Sequence, residues 1–136
     1  MKNAQARTTY LKDYKPPQYL IETTELDFDL HEDHAIVASK LLFKRNNSIS
    51  IDNEASLVLH GHELVLEELC INGKQVGEED YQIKGEELSV PNLGKILGES
   101  PEQFVLECRT RIEPQNNTAL EGLYKSKKMF CTQCEA

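Results

Sequence analysis

The sequence predicts an all-β fold, an antiparallel sandwich or open barrel, and three observations carry that prediction. Apolar residues recur with a period of two along most of the 136 residues, turn residues interrupt these runs at short spacing, and only one short stretch has helical potential. Successive side chains of a strand point to opposite faces, so alternation marks a segment with one buried face.

Residues 1 to about 14 read as an arm ahead of the first strand, closed by Pro16-Pro17. Leu26, Phe28 and Leu30 alternate with Asp27 and Asp29, which predicts a half-buried strand. His31-Glu32-Asp33 supplies the turn after it. In the next strand Val37, Ser39, Leu41 and Phe43 share one parity, while Lys40 and Lys44 take the other. Asn46-Asn47-Ser48 forms the following turn. Shorter runs come next: Leu57 with Leu59, Leu64 with Leu66, and Leu69 with Ile71, punctuated by a hairpin turn at Gly61. Asn72-Gly73 is the strongest two-residue hairpin signal in the chain. Tyr81 with Ile83 and Leu88 with Val90 flank a further turn at Gly85. Between Pro91 and Gly98 a helical turn fits, kept short by Pro91, Gly94 and Gly98. The last long run is Phe104, Leu106, Cys108, Thr110 and Ile112, opposed by Glu107, Arg109 and Arg111. Many short strands joined by hairpin turns make an antiparallel sandwich.

Length gives room for one domain, residues 1–136. A hydrophobic fraction of 39% and a charged fraction of 28% are ordinary for a globular protein. The net charge of −8 argues against a nucleic-acid surface, which needs clustered Lys and Arg. Met1-Lys2-Asn3 carries a basic residue with no apolar stretch behind it, so no secretory signal is expected. No run reaches the roughly 18 apolar residues of a membrane span. The expected location is the cytoplasm, with all four cysteines reduced. Cys134-Glu135-Ala136 closes the chain without a polar tail, cap or turn, as expected of a domain interrupted ahead of further polypeptide.

Several short motifs invite chemistry. Cys131-Thr132-Gln133-Cys134 is a C-x-x-C, but a redox site wants it at a helix N-terminus, and a structural zinc site wants a second Cys or His pair. His31-Glu32-Asp33-His34 is one residue short of H-E-x-x-H, whose histidines share a helix face only when four apart. His60-Gly61-His62 reads as a turn flanked by histidines. The sequons at Asn46 and Asn116 read as turns, and Lys125-Ser126-Lys127-Lys128 as a charged hairpin tip. From the residues alone, the chain is a β domain without its own active site. It is either part of a larger enzyme or a free-standing adaptor or binding module.

Three stretches favour the first of these by resemblance. Tyr10-Leu11-Lys12-Asp13-Tyr14-Lys15-Pro16-Pro17, then Leu57 through Leu64 with Ile71-Asn72-Gly73-Lys74, and above all Gly122-Leu123-Tyr124 leading to Thr132-Gln133-Cys134-Glu135-Ala136 resemble the N-terminal domain of the gluzincin-type zinc aminopeptidases. The resemblance implies a saddle-shaped antiparallel domain packed on a thermolysin-like catalytic domain that lies beyond Ala136. It implies that Gln133 and Glu135, as a Q-x-E element, bind the free amino end of a peptide substrate. An α-ammonium, with a pKa of about 8, needs a carboxylate partner, which Glu135 supplies. Gln133 adds an acceptor and a donor. The family's H-E-x-x-H and G-x-M-E-N motifs are absent from these 136 residues. The zinc that would polarise the scissile bond and activate water is therefore expected in the full-length enzyme, and this chain is expected to be inactive alone and to hold no metal. The expected partners are peptide substrates and the catalytic domain of the same polypeptide, with no nucleic acid and no membrane. Leu123, Tyr124, Met129 and Phe130 are expected to form an exposed apolar patch facing that domain.

Overall fold

The computed structural model describes residues 8–50, 56–98 and 101–134. Among the described residues ten strands form three antiparallel sheets: β1 (Tyr19–Leu30), β2 (Ala35–Arg45), β3 (Leu57–His60), β4 (Leu64–Ile71), β5 (Lys74–Gln75), β6 (Gln82–Lys84), β7 (Glu87–Val90), β8 (Gln103–Ile112), β9 (Gly122–Ser126) and β10 (Met129–Gln133). The large sheet runs β1-β2-β8-β4-β5, a smaller one β3-β7-β6, and β9 pairs with β10 alone. The all-β antiparallel prediction holds. The one α-helix among the described residues is α1, Leu93–Leu97, with the Asn92 side chain accepting from the Lys95 amide at 2.9 Å. Gly98, at φ +91, ends it.

Turn chemistry explains the joints. Asn72 and Gly73 both take positive φ, +48° and +76°, as a tight two-residue hairpin turn requires. Asn72 is also fastened to the neighbouring strand, its amide donating to the Val105 carbonyl and its side chain accepting from the Val105 amide, both at 2.8 Å. Asn46 is buried; its side chain donates to the Pro17 carbonyl at 2.9 Å and accepts from the Ser48 amide. The proline pair is thereby pinned beside the start of β1, and the carboxamide of that sequon is engaged in the fold.

Two bulges set which residues meet. In β4 the register against β8 shifts between Leu66 and Glu68, so Leu64 and Leu66 share a face with Leu69 and Ile71 despite opposite sequence parity. The two runs that read as separate are one strand. A second shift between Ile21 and Thr23 does the same for Ile21 and Leu26 in β1. The apolar face so produced meets β3, β7 and α1 at one end only. There Phe43, Leu69, Ile71, Phe104 and Leu106 pack with Leu57, Val90 and Leu93. Phe104 is the hub, stacked on Phe43 with centroids 5.1 Å apart and edge-on to Tyr19 at the same distance.

Two sequence readings need correction. The β1 strand is not half-buried: Leu26, Phe28 and Leu30 are 53%, 44% and 44% exposed, and only Tyr19 is buried. Their alternation is real, but they lie beyond the reach of the small sheet. Gly61 does not close a hairpin, because β3 and β4 belong to different sheets and residues 61–63 carry the chain across.

Phe104→Ala should cost about 3–5 kcal/mol in urea unfolding of this chain, while Phe28→Ala, the same truncation on the uncovered end, should cost less than about 1 kcal/mol. Equal losses would contradict this placement of the core.

Candidate functional site

The sequence-predicted site lies on the β9–β10 hairpin. A 3-10 turn, Pro114–Asn116, follows β8, and Asn117 then begins the crossing to β9. Pro114 is buried, which anchors this crossing to the body of the domain. The hairpin pairs Ser126 with Met129 at its tip, Tyr124 with Cys131 midway and Gly122 with Gln133 at its base. Lys127, at φ +57, makes the tip turn. Gln133 therefore stands at the base, opposite Gly122. Glu135 lies outside the described residues.

The hairpin is tied to the β1–β2 turn. The Lys125 ammonium, with its side chain only 10% exposed, donates to the Glu32 carbonyl oxygen at 3.1 Å and to Glu32 Oε2 at 3.0 Å, and sits 5.2 Å from the centre of the Phe130 ring. Gln115 donates to the Asp33 carbonyl in the same turn. Lys125 thus belongs to the strand as a fastening, whereas Lys127 and Lys128 form the charged tip. Of the four residues expected in an exposed apolar patch, Met129 is 66% exposed, and Leu123, Tyr124 and Phe130 are half-buried. A cleft of about 510 Å³ runs beside the hairpin, between Leu123 and Asn117 on one side and Leu64 and Ile112 on the other.

Of the motif histidines, His31, His34 and His62 lie between strands, and His60 ends β3. The His31 and His34 rings stack 4.4 Å apart, and each engages its own carboxylate: Asp29 at 3.0 Å from His31 Nε2, Asp33 at 2.6 Å from His34 Nδ1. The hydrogen bond from His34 holds the Asp33 carboxyl below its usual range. His62 contacts Glu86 and Glu63. Among the described residues no group of three or more His, Cys, Asp or Glu side chains is placed to hold a metal ion.

All four cysteines are free. Cys131 lies within β10 and Cys134 just after it, so the C-x-x-C occupies a strand and not a helix start. Burial raises the Cys108 thiol to about 11, opposed in part by its hydrogen bond with Ser39. The Cys70 thiol is also raised, first by desolvation and then by Glu68.

This arrangement of sheets is that of the all-β domain found at the N-terminus of zinc aminopeptidases. The chain is 40% identical over 126 residues to aminopeptidase N of Caulobacter vibrioides, covering 93% of this chain and 13% of that protein. Identity is 38% with aminopeptidase N of Haemophilus influenzae, over 96% of this chain and 14% of the relative. Aminopeptidase A of Legionella pneumophila, solved in complex with aspartic acid, superposes with a TM-score of 0.81 at 25% identity, over 94% of this chain and 14% of that one. Leukotriene A4 hydrolase of Saccharomyces cerevisiae shares the fold at a TM-score of 0.59 and 17% identity, over 88% of this chain and 19% of its own. No protein-family model matches the chain. The chain is homologous to the N-terminal domain of aminopeptidase N, and spans 13–14% of the length of these curated relatives. No helix among the described residues is long and apolar enough to cross a membrane.

Thiol labelling of the folded chain should modify exposed Cys134 first and Cys108 last. Only the thiolate reacts, so the Cys108 rate should rise about tenfold per pH unit from pH 7 to 10 and level off near 11. Early, pH-independent labelling of Cys108 would contradict its burial.

Proposed function

We propose that this domain forms one wall of the substrate cavity of a zinc-dependent aminopeptidase, an enzyme that removes amino acids from the free amino end of peptides. Homology to aminopeptidase N along nearly the whole chain carries the reading. Residues 1–136 make up the N-terminal domain, with residues 1–14 as its arm. The catalytic domain follows in the same polypeptide beyond Ala136. Zinc is assigned in this reading to that domain, where the family carries its H-E-x-x-H signature. This domain then acts only together with the catalytic domain, and its partners are that domain and peptide substrates. Four free thiols accord with a cytoplasmic setting.

The domain's own chemistry in this reading is recognition of the amino end. An exopeptidase must measure one residue from a charged terminus. Glu135 provides the charge-assisted hydrogen bond to the α-ammonium, and Gln133 a neutral acceptor beside it. Strand β10 supports the assignment by holding Gln133 in a paired position, where its backbone is fixed before substrate arrives. Enclosure of this pair between two domains strengthens it over the same contact in water.

In the full-length enzyme, Glu135→Ala should leave the α-ammonium partly desolvated and short of a partner. Losses of this kind run to about 2–5 kcal/mol. With a second carboxylate supplied by the catalytic domain the lower half applies, a fall in kcat/KM of roughly 30- to 300-fold. Glu135→Gln keeps the shape and removes the charge, so most of the loss should persist, with zinc content unchanged. A kcat/KM within about threefold of the parent, or loss of zinc, would refute the role.

A further inference from the structure

The crossing into β9 holds backbone conformations that side-chain-bearing residues avoid, and one side chain spans it. Leu120 sits at φ +59 and Gly122 at φ +68. Asn117 Nδ2 donates to the carbonyl oxygen of Glu121 at 2.7 Å and to that of Leu123 at 2.9 Å. A primary amide has two hydrogens, and these carbonyls belong to the residues on either side of Gly122. One carboxamide therefore fixes the residue between them from both sides. Gly122 is in turn the cross-strand partner of Gln133.

From this chain of contacts we infer that Asn117 is a positioning residue for recognition of the substrate's amino end. Its carboxamide sets the conformation at Gly122, Gly122 sets the register and height of the end of β10, and β10 places Gln133, with Glu135 two residues further on. The inference rests on the reading of Gln133 and Glu135 given above. The contacts themselves are independent of it. The requirement at Gly122 is conformational and not steric, because a Cβ built there meets nothing within 4 Å. Asn tolerates a positive φ and a β-branched residue does not, so two substitutions of similar freedom from clash separate the two effects.

The test uses the full-length enzyme and an aminoacyl amide with a free amino end. Asn117→Ala and Asn117→Asp each remove both donations, since a carboxylate has no hydrogen to give. Each should lower kcat/KM by about 10- to 100-fold, mainly through KM, as a displaced binding group does. Gly122→Val should reproduce that loss, and Gly122→Asn should stay within about threefold of the parent. Added to Gln133→Ala/Glu135→Ala, Asn117→Ala should lower kcat/KM by less than about threefold more, because the groups it positions are already gone. A lowered Tm with KM unchanged in the folded enzyme would overturn the inference by making Asn117 structural only, and so would a full additional loss on the Gln133→Ala/Glu135→Ala background. Should Asn117→Ala fail to fold, the Gly122 pair decides: equal activity of Gly122→Val and Gly122→Asn overturns it. If Gln133→Ala and Glu135→Ala themselves leave kcat/KM unchanged, the amino-end reading falls and the inference with it. If they lower it while Asn117→Ala and Gly122→Val do not, positioning alone is wrong.

Discussion

Side chains of a strand alternate strictly, so a strand can offer a continuous apolar face only while its register is unbroken or is broken by a compensating bulge. The large sheet depends on this constraint twice. Without the shift between Leu66 and Glu68, Leu64 and Leu66 would point away from the face that carries Leu69 and Ile71. Without the shift in β1, Ile21 and Leu26 would part in the same way. With both in place, one face gathers the apolar residues of four strands around the Phe43–Phe104 stack, which the unshifted β2–β8 pairing sets opposite each other. The hairpin that carries the candidate site is attached to the other end of this sheet, through Lys125 and Gln115 at the β1–β2 turn.

That division gives the domain two regions with different physics. At one end, buried aromatic and branched side chains supply the cohesion. At the other, the β1 residues Leu26, Phe28 and Leu30 stay largely exposed, and polar contacts do the fastening. The Lys125 side chain is largely covered, and its ammonium meets two oxygens of the exposed Glu32. A hairpin fastened in this way keeps the backbone of β10 in place.

Much of the fold was legible in the sequence because local chemistry determined it. Asn72-Gly73 announced a turn that both residues then make with positive φ, and the glycines around residues 93–97 limited the helix as expected. What stayed hidden depended on pieces distant in sequence. Alternation in β1 shows that Leu26, Phe28 and Leu30 share a face, but not whether another sheet covers it. A glycine at 61 marks a change of direction, yet only the pairing of β3 with β7 shows that the chain changes sheets. The bulges left a trace, the switch from even to odd apolar positions between Leu66 and Leu69, which reads equally well as two strands. For the site, Gln133 and Glu135 came from resemblance, since polar residues on a strand carry no signal by themselves. Asn117 stands inside the sequon that starts at Asn116, within a turn-rich run, and only the two carbonyl contacts single it out.

The central claim is that the end of β10 faces the substrate's amino terminus. A crystal structure of the full-length protein with an amino acid bound in the catalytic cavity tests it most directly. The account predicts the α-amino nitrogen about 2.7–3.2 Å from a Glu135 carboxylate oxygen, with the Gln133 side chain at the same group. An amino nitrogen partnered wholly by residues of the catalytic domain, with the β9–β10 hairpin turned to solvent, would contradict it.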